Sequence, residues 1–211
     1  MVFQNDCGDE GWLDIPEREP CALRGSEFVS SVISLRGGAR DEKVLEQLLM
    51  GNVPLFMRSL CPIFLTSVGL SGEHRSATFW ATPDYLCIGD DDDYVRFPMN
   101  PLTAQKVADA YGGFLPTRRV VNAIFTRSDT KLVAKTLLAG NHMRSTRYVA
   151  EHNALIQAQL AGASPGALVA GHKKDIILCQ RLFSDAAGRP WDEGHSPRVA
   201  IYGWARRLRF C

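Results

Sequence analysis

The stretch from Gly166 to Leu182, GALVAGHKKDIILCQRL, constrains the fold more than any other part of the chain. Its apolar runs, Ala167 to Ala170 and Ile176 to Cys179, are too short for helices and suit buried strands. Between them Gly171, His172, Lys173, Lys174 and Asp175 form the densest group of ionisable side chains. The bland expectation is the polar tip of a hairpin between two core strands. The sharper one is an acid–base site. In an extended chain, His172 and Lys174 point to one face and Lys173 and Asp175 to the other, so a His172/Asp175 couple needs a bulge, which Gly171 can supply. In that site His172 is general base or acid, Asp175 orients it and Lys173 holds an anionic group.

The rest of the chain is long enough to bury a core around such a site, with 211 residues of which 45% are hydrophobic. Residues 1–25 are polar and broken by Gly and Pro, an irregular lead-in. Residues 26–204 are expected to form one domain. A helix begins behind Ser26 and stops at Gly37-Gly38; Asp41 caps a second, ended by Gly51-Asn52, and Pro54 opens a short third. Ile63 to Leu65 and Ala77 to Thr82 read as a hairpin, and Tyr85 to Ile88 continues that sheet. Asp90 to Asp93 is a solvated turn leading to Tyr94 to Phe97, since it lacks the alternating ligand spacing of a calcium loop.

Two helices follow, one over Thr103 to Tyr111 and one capped by Thr117, and Arg118-Arg119 at the second N-terminus raises a helix-turn-helix reading. The connection between them exceeds the usual turn. Lys131 to Leu138 is helix or strand. A firmer helix runs from Ser145 or Thr146 to Ala161, with Tyr148, His152, Leu155, Ile156, Gln159 and Leu160 on one face. Ser184 to Pro197 is a polar loop, and residues 198–204 read as a last strand. The fold class is therefore α+β: N-terminal helices and a mostly antiparallel sheet, with the 101–128 and 145–161 helices packed on one side.

Several function classes have no support. Lys+Arg 24 against Asp+Glu 23 leaves a net charge of +1, which gives no whole-molecule attraction to nucleic acid or to an anionic membrane. No apolar run approaches a membrane span, and the N-terminus does not resemble a secretory signal, so the expected location is cytoplasmic, or secreted if the N-terminus is incomplete. The six cysteines include no CxxC pair, and neither a metal nor a cofactor is implied. Cys179 lies in a run expected to be buried. His74, His142 and His195 sit in polar segments. There is no G-x-S-x-G, P-loop, G-x-G-x-x-G or H-E-x-x-H. His152 is the second candidate, facing inward from its helix, and Asn153 and Tyr148 join it on the substrate-binding side. Acid–base partners must act within hydrogen-bond reach of one substrate, so the enzyme reading fails if His172 and His152 lie more than about 10 Å apart or if neither lines a pocket.

The strings Pro83-Asp-Tyr-Leu-Cys-Ile-Gly-Asp, Val95-Arg-Phe-Pro-Met-Asn-Pro-Leu-Thr-Ala-Gln, Leu115-Pro-Thr-Arg-Arg, His152-Asn153, Ala170-Gly-His-Lys-Lys-Asp and Val199-Ala-Ile-Tyr-Gly-Trp resemble, in this order, a mostly bacterial family to which no activity is attached. The resemblance covers roughly residues 25 to 204 and implies kinship without a function. Members of that family continue after the Tyr-Gly-Trp strand with a histidine and a segment ending in Tyr-Ser-His-Gly, whereas here Ala205 and a basic tail, residues 205–211, follow. The expectation from that difference is a truncated or out-of-frame tail.

The functional expectation is a His-dependent, hydrolytic enzyme with a cleft around His172, acting on a small-molecule or cell-wall-type substrate. The rival is a non-catalytic binding or pathway accessory protein. Helix-turn-helix DNA binding is third, and no nucleic acid or membrane partner is expected.

Overall fold

The computed structural model describes residues 1–4, 11–69, 71–179 and 199–203, and the protein is an α+β fold. Strands β1 (Val2–Gln4), β2 (Cys61–Val68) and β3 (His74–Ala81) form a sheet in the order β1-β3-β2. The β2/β3 hairpin keeps an unbroken antiparallel register from Cys61 opposite Ala81 to Val68 opposite His74. Pro62 is accommodated inside β2. Tyr85 to Ile88 does not extend this sheet. Instead β4 (Cys87–Gly89) and β5 (Tyr94–Arg96) pair antiparallel as a separate ribbon.

Two helices cover the N-terminal side. Helix α1 (Gly25–Ser31) begins one residue before the expected cap and ends well short of Gly37. Ser26 instead offers its backbone N–H and hydroxyl to the Asp93 carboxylate, and Arg24 pairs with Asp90 at 3.0 Å. The acidic turn is thus more than a solvated loop, because its negative charge sits at the start of α1, where the helix dipole favours it. Helix α2 (Gly37–Leu49) starts at the glycines expected to stop its predecessor. Gly37 has a φ of 55°, a left-handed conformation that a side chain would resist, and that turn feeds the chain into α2. Asp41 is buried within α2, where it accepts from the backbone N–H and side-chain amide of Asn100. Asn100 in turn caps α3 (Pro101–Ala110), so α3 starts earlier than Thr103.

The main core lies between these helices and the ribbon, where Phe28, Val44, Leu48, Met57, Ile88 and Val107 are buried together. The Phe28 and Phe97 rings meet edge to face at 5.1 Å. Full burial of each such side chain contributes about 1.5–3 kcal/mol.

Helix α4 (Arg118–Arg127) is capped by Thr117, as its sequence predicts, and packs on the β2 side of the sheet. Arg119 donates to Ser67 Oγ at 3.2 Å and to the Thr66 carbonyl, while Arg118 lies over the Tyr202 ring. The two arginines that would lead a recognition helix therefore lie against the protein's own strands.

The 166–182 stretch is not a hairpin between partnered strands. Val169–Ala170 (β7) pairs in parallel with Thr130–Lys131 (β6), and Asp175–Ile176 (β8) pairs antiparallel with Ile201–Tyr202 (β9). The polar pentad thus connects two sheets. Residues 180–182, the whole Ser184 to Pro197 loop with His195, and the 205–211 tail lie outside the described residues. Helix α5 (Thr146–Leu160) has the expected Ser145 cap, but its buried face carries Thr146, Val149, Asn153 and Ile156. The expected face is offset from this one, and Leu155 is exposed. The buried polar positions account for the offset: Thr146 donates to the Val32 carbonyl and Asn153 bonds to β5, so both enter the core with partners.

Candidate functional site

Arg96 is the pivot around which the site is built. It occupies an inward position of β5 and is completely buried, so its charge requires a partner. Asp84, just before β4, supplies it, with Oδ2 accepting from Arg96 Nε at 2.8 Å and from Nη2. Asn153 on α5 supplies the rest. Its Oδ1 accepts from Arg96 Nη1 at 3.0 Å and from the Arg96 backbone N–H at 3.2 Å, and its Nδ2 donates to the Tyr94 carbonyl. The Arg96 guanidinium also lies over the Tyr94 ring, 5.0 Å from its centroid. Asn153 therefore positions Arg96.

The other oxygen of Asp84 meets His172. Asp84 Oδ1 lies 3.1 Å from His172 Nε2 and accepts the Tyr85 backbone N–H at 2.7 Å. Burial alone would raise the Asp84 carboxyl, but the His172 hydrogen bond and the Arg96 charge outweigh it and hold the group below the usual carboxylate range. An ionised carboxylate only accepts, so Nε2 carries the proton, and in the neutral ring Nδ1 is left as the acceptor. Nδ1 is buried and has no hydrogen-bond partner among the described residues. Gly171 sets this geometry. Its φ is 98°, and a Cβ there would stand 2.4 Å from the Leu132 carbonyl oxygen.

Asp175 does not orient His172 as the sequence suggested. Its Oδ2 accepts the Tyr85 hydroxyl at 2.9 Å, and burial raises its pKa. Turning at Gly171 brings His172 onto Asp84, so the carboxylate that holds the imidazole comes from 88 positions away. The Tyr85 ring also packs edge to face on His172 at 5.0 Å.

Lys173 leaves on the other side and reaches α5. Its Nζ is 3.3 Å from His152 Nδ1, and His152 Nε2 is 3.0 Å from the Lys135 carbonyl. A carbonyl only accepts, so Nε2 bears the His152 proton and Nδ1 accepts from the lysine. Burial, then the Lys173 charge, lowers the His152 pKa. Burial, helped by the Arg96 charge, lowers Lys173 to about 8. His152 is half-buried at the edge of the helix face rather than inside the core. Tyr148 is not brought into the cluster: its hydroxyl is 3.4 Å from the Leu137 carbonyl and its ring faces His142.

A cavity of about 40 Å³ adjoins the cluster, with Asp84, Tyr85, Gly171, Lys173 and Asp175 in its wall. That volume admits a water molecule. Neither His172 nor His152 is part of this wall, which counts against the enzyme reading. Among the described residues no three His, Cys, Asp or Glu side chains converge as a metal site would require, and no helix is long and apolar enough to cross a membrane. Cys179 is partly exposed rather than buried.

Sequence reasoning found His172, Lys173, His152 and Asn153, which the fold does bring together. It missed Asp84, Tyr85 and Arg96. A signal for Arg96 was present: a basic residue between Val95 and Phe97 in a strand-like run implies a buried charge, and a buried arginine implies a carboxylate. No family model, curated protein or solved structure matches the chain.

Proposed function

We propose that Asp84 and His172 form the acid–base centre of a hydrolytic enzyme acting on a small-molecule substrate. The observation that carries this reading is His172 Nδ1, a buried acceptor without a partner on an imidazole whose other nitrogen is held by a carboxylate. A histidine retained only to stitch the fold would be expected to satisfy both nitrogens. For this centre to act, His172 Nδ1 must be reached by a water entering from the cavity beside Gly171 and Lys173, although the imidazole is not in that cavity's wall. That water gives its proton to His172 and supplies the nucleophile for which the chain has no marked side chain. Asp84 fixes the tautomer and stabilises the imidazolium as it forms. The Lys173 ammonium donates to the negative charge that develops on the substrate.

A survey of chromogenic esters, peptide amides and phosphoesters tests this reading. Turnover of at least one class by the purified chain is the expected result, and no turnover across the panel would overturn it.

A non-catalytic binding role is the second reading. It is favoured by the 3% exposure of His172 and by the absence of both histidines from the cavity wall. In that case the Asp84–Arg96–Asn153–His172 network serves only to fasten β4, β5, α5 and the 171–175 turn together.

A further inference from the structure

Lys173, which the acid–base reading uses only as an ammonium, has a second chemistry as a free amine. Its amine is half-buried, and among the described residues no carboxylate lies within ion-pair distance of it. Among the described residues the one hydrogen bond of Nζ is to an imidazole nitrogen, which can accept a proton. That imidazole is itself fixed, because its other nitrogen donates to the Lys135 carbonyl.

We infer that Lys173 is a nucleophilic amine that condenses with small aldehydes, with His152 as its proton acceptor. Nζ attacks the carbonyl carbon, a C–N bond forms and the π electron pair moves to oxygen. Two protons leave nitrogen in turn through His152 Nδ1 to that oxygen, the first giving the carbinolamine and the second, as the nitrogen lone pair forms the C=N bond and the C–O bond breaks, releasing water. The products are an imine and one water, and no oxidant or reductant enters. Lys173 is in the wall of the small cavity, and a short-chain carbonyl compound is the partner proposed for it.

The groups around the amine favour its neutral form. Burial acts first and the Arg96 guanidinium on β5 adds to it, while Asp84 and the buried Cys87 thiol of β4 act weakly in the other direction. His152 on α5 is kept neutral by its own burial and by Lys173. Desolvation beside another cation is a recognised way to turn a lysine into a nucleophile at neutral pH.

The adjacent residue provides the control. Lys174 is exposed, differs in sequence by one position and shares the same peptide. The chain is treated with propanal and cyanoborohydride at pH 7.5, and propylation at the two lysines is compared by fragment mass spectrometry. A pKa near 8 gives a free-amine fraction roughly two orders of magnitude above that of an ordinary lysine. The weaker base is a somewhat weaker nucleophile, so Lys173 is expected to label at least about tenfold faster than Lys174. The Lys173 rate rises with pH and levels off above about 8.

In His152→Gln, Lys173 labelling falls towards that of Lys174 while Lys174 is unchanged. Equal labelling of the two lysines in the wild-type chain would overturn the proposal. An unchanged Lys173 rate in His152→Gln would overturn the role of His152. Because the first comparison uses only the wild-type chain, a folding defect in the variant cannot decide it. The outcome is also independent of whether His172 acts as a base, since labelling requires no hydrolytic turnover.

Discussion

Asp84 Oδ1 and His172 Nε2 lie 3.1 Å apart in a fully buried contact that spans 88 positions of sequence. The same carboxylate neutralises Arg96 through its other oxygen, so one side chain serves a strand, a turn and an imidazole. Removing it in Asp84→Ala leaves the Arg96 charge buried without its counter-ion. The expected loss is about 3–5 kcal/mol in chemical denaturation. A loss under about 1 kcal/mol would mean that the pair contributes little to the fold.

The acid limb of the stability curve follows from the same contact. The folded pKa of Asp84 is depressed, so between the folded and unfolded values the unfolded chain binds the proton more tightly. The stabilisation is complete above the unfolded value of about 3.9 and is lost as pH falls through the folded value. The Asp84 contribution to denaturation midpoints should hold steady from neutral pH down to about 5 and then drop, in addition to the loss that begins below about 6.5 from His152, whose folded pKa is also depressed.

Lys173 has the opposite consequence. Its folded pKa of about 8 lies below the usual lysine value, so from about pH 8 to about 10.4 the unfolded chain holds a proton that the folded chain has lost. Wild-type stability therefore rises with pH across that window. Lys173→Met lacks this slope and should be more stable than wild type at pH 7 by about 1–2 kcal/mol, a value discounted because the side chain is partly solvated. The difference should vanish by about pH 10.5, as followed by urea titration at several pH values.

Gly171→Ala tests the turn that aims His172. The new Cβ meets the Leu132 carbonyl oxygen at 2.4 Å and the residue would have to keep a φ of 98°. A destabilisation of about 1–3 kcal/mol is expected, together with a changed environment at His172 in its ring NMR signals.

Asn153→Ala separates positioning from substrate contact. Its amide is committed to Arg96 and the Tyr94 carbonyl, so the variant leaves buried donors unpaired and should cost about 2–3 kcal/mol. If Asn153 instead bound substrate, stability would hold and KM alone would rise.

The starts of α4 and α5 were legible because their caps are local: Thr117 and Ser145 cap them where their sequences place them. The start of α2 was not, since Gly37-Gly38 reads as a stop and only the left-handed φ of Gly37 makes it an entry. At the site, local pattern found His172 and Lys173 but named the wrong carboxylate. Strand alternation already argued against Asp175, yet nothing within a few residues of His172 points to Asp84. Which side chain completes a buried ion pair is decided by tertiary packing, here of β4, β5 and α5 around Arg96. The inward face of α5 was misplaced for a related reason: Thr146 and Asn153 look like surface residues until their partners on other elements are known.

The most direct test compares wild type with His172→Gln on whichever ester, amide or phosphoester the wild-type chain hydrolyses, with folding of both checked by circular dichroism. General acid–base catalysis by a positioned side chain contributes about 10²–10⁴-fold, so kcat/KM should fall by at least about 100-fold while the variant stays folded. A folded His172→Gln protein that hydrolyses the substrate at the wild-type rate would contradict the assignment and leave the Asp84–His172 contact as a fastening of the fold.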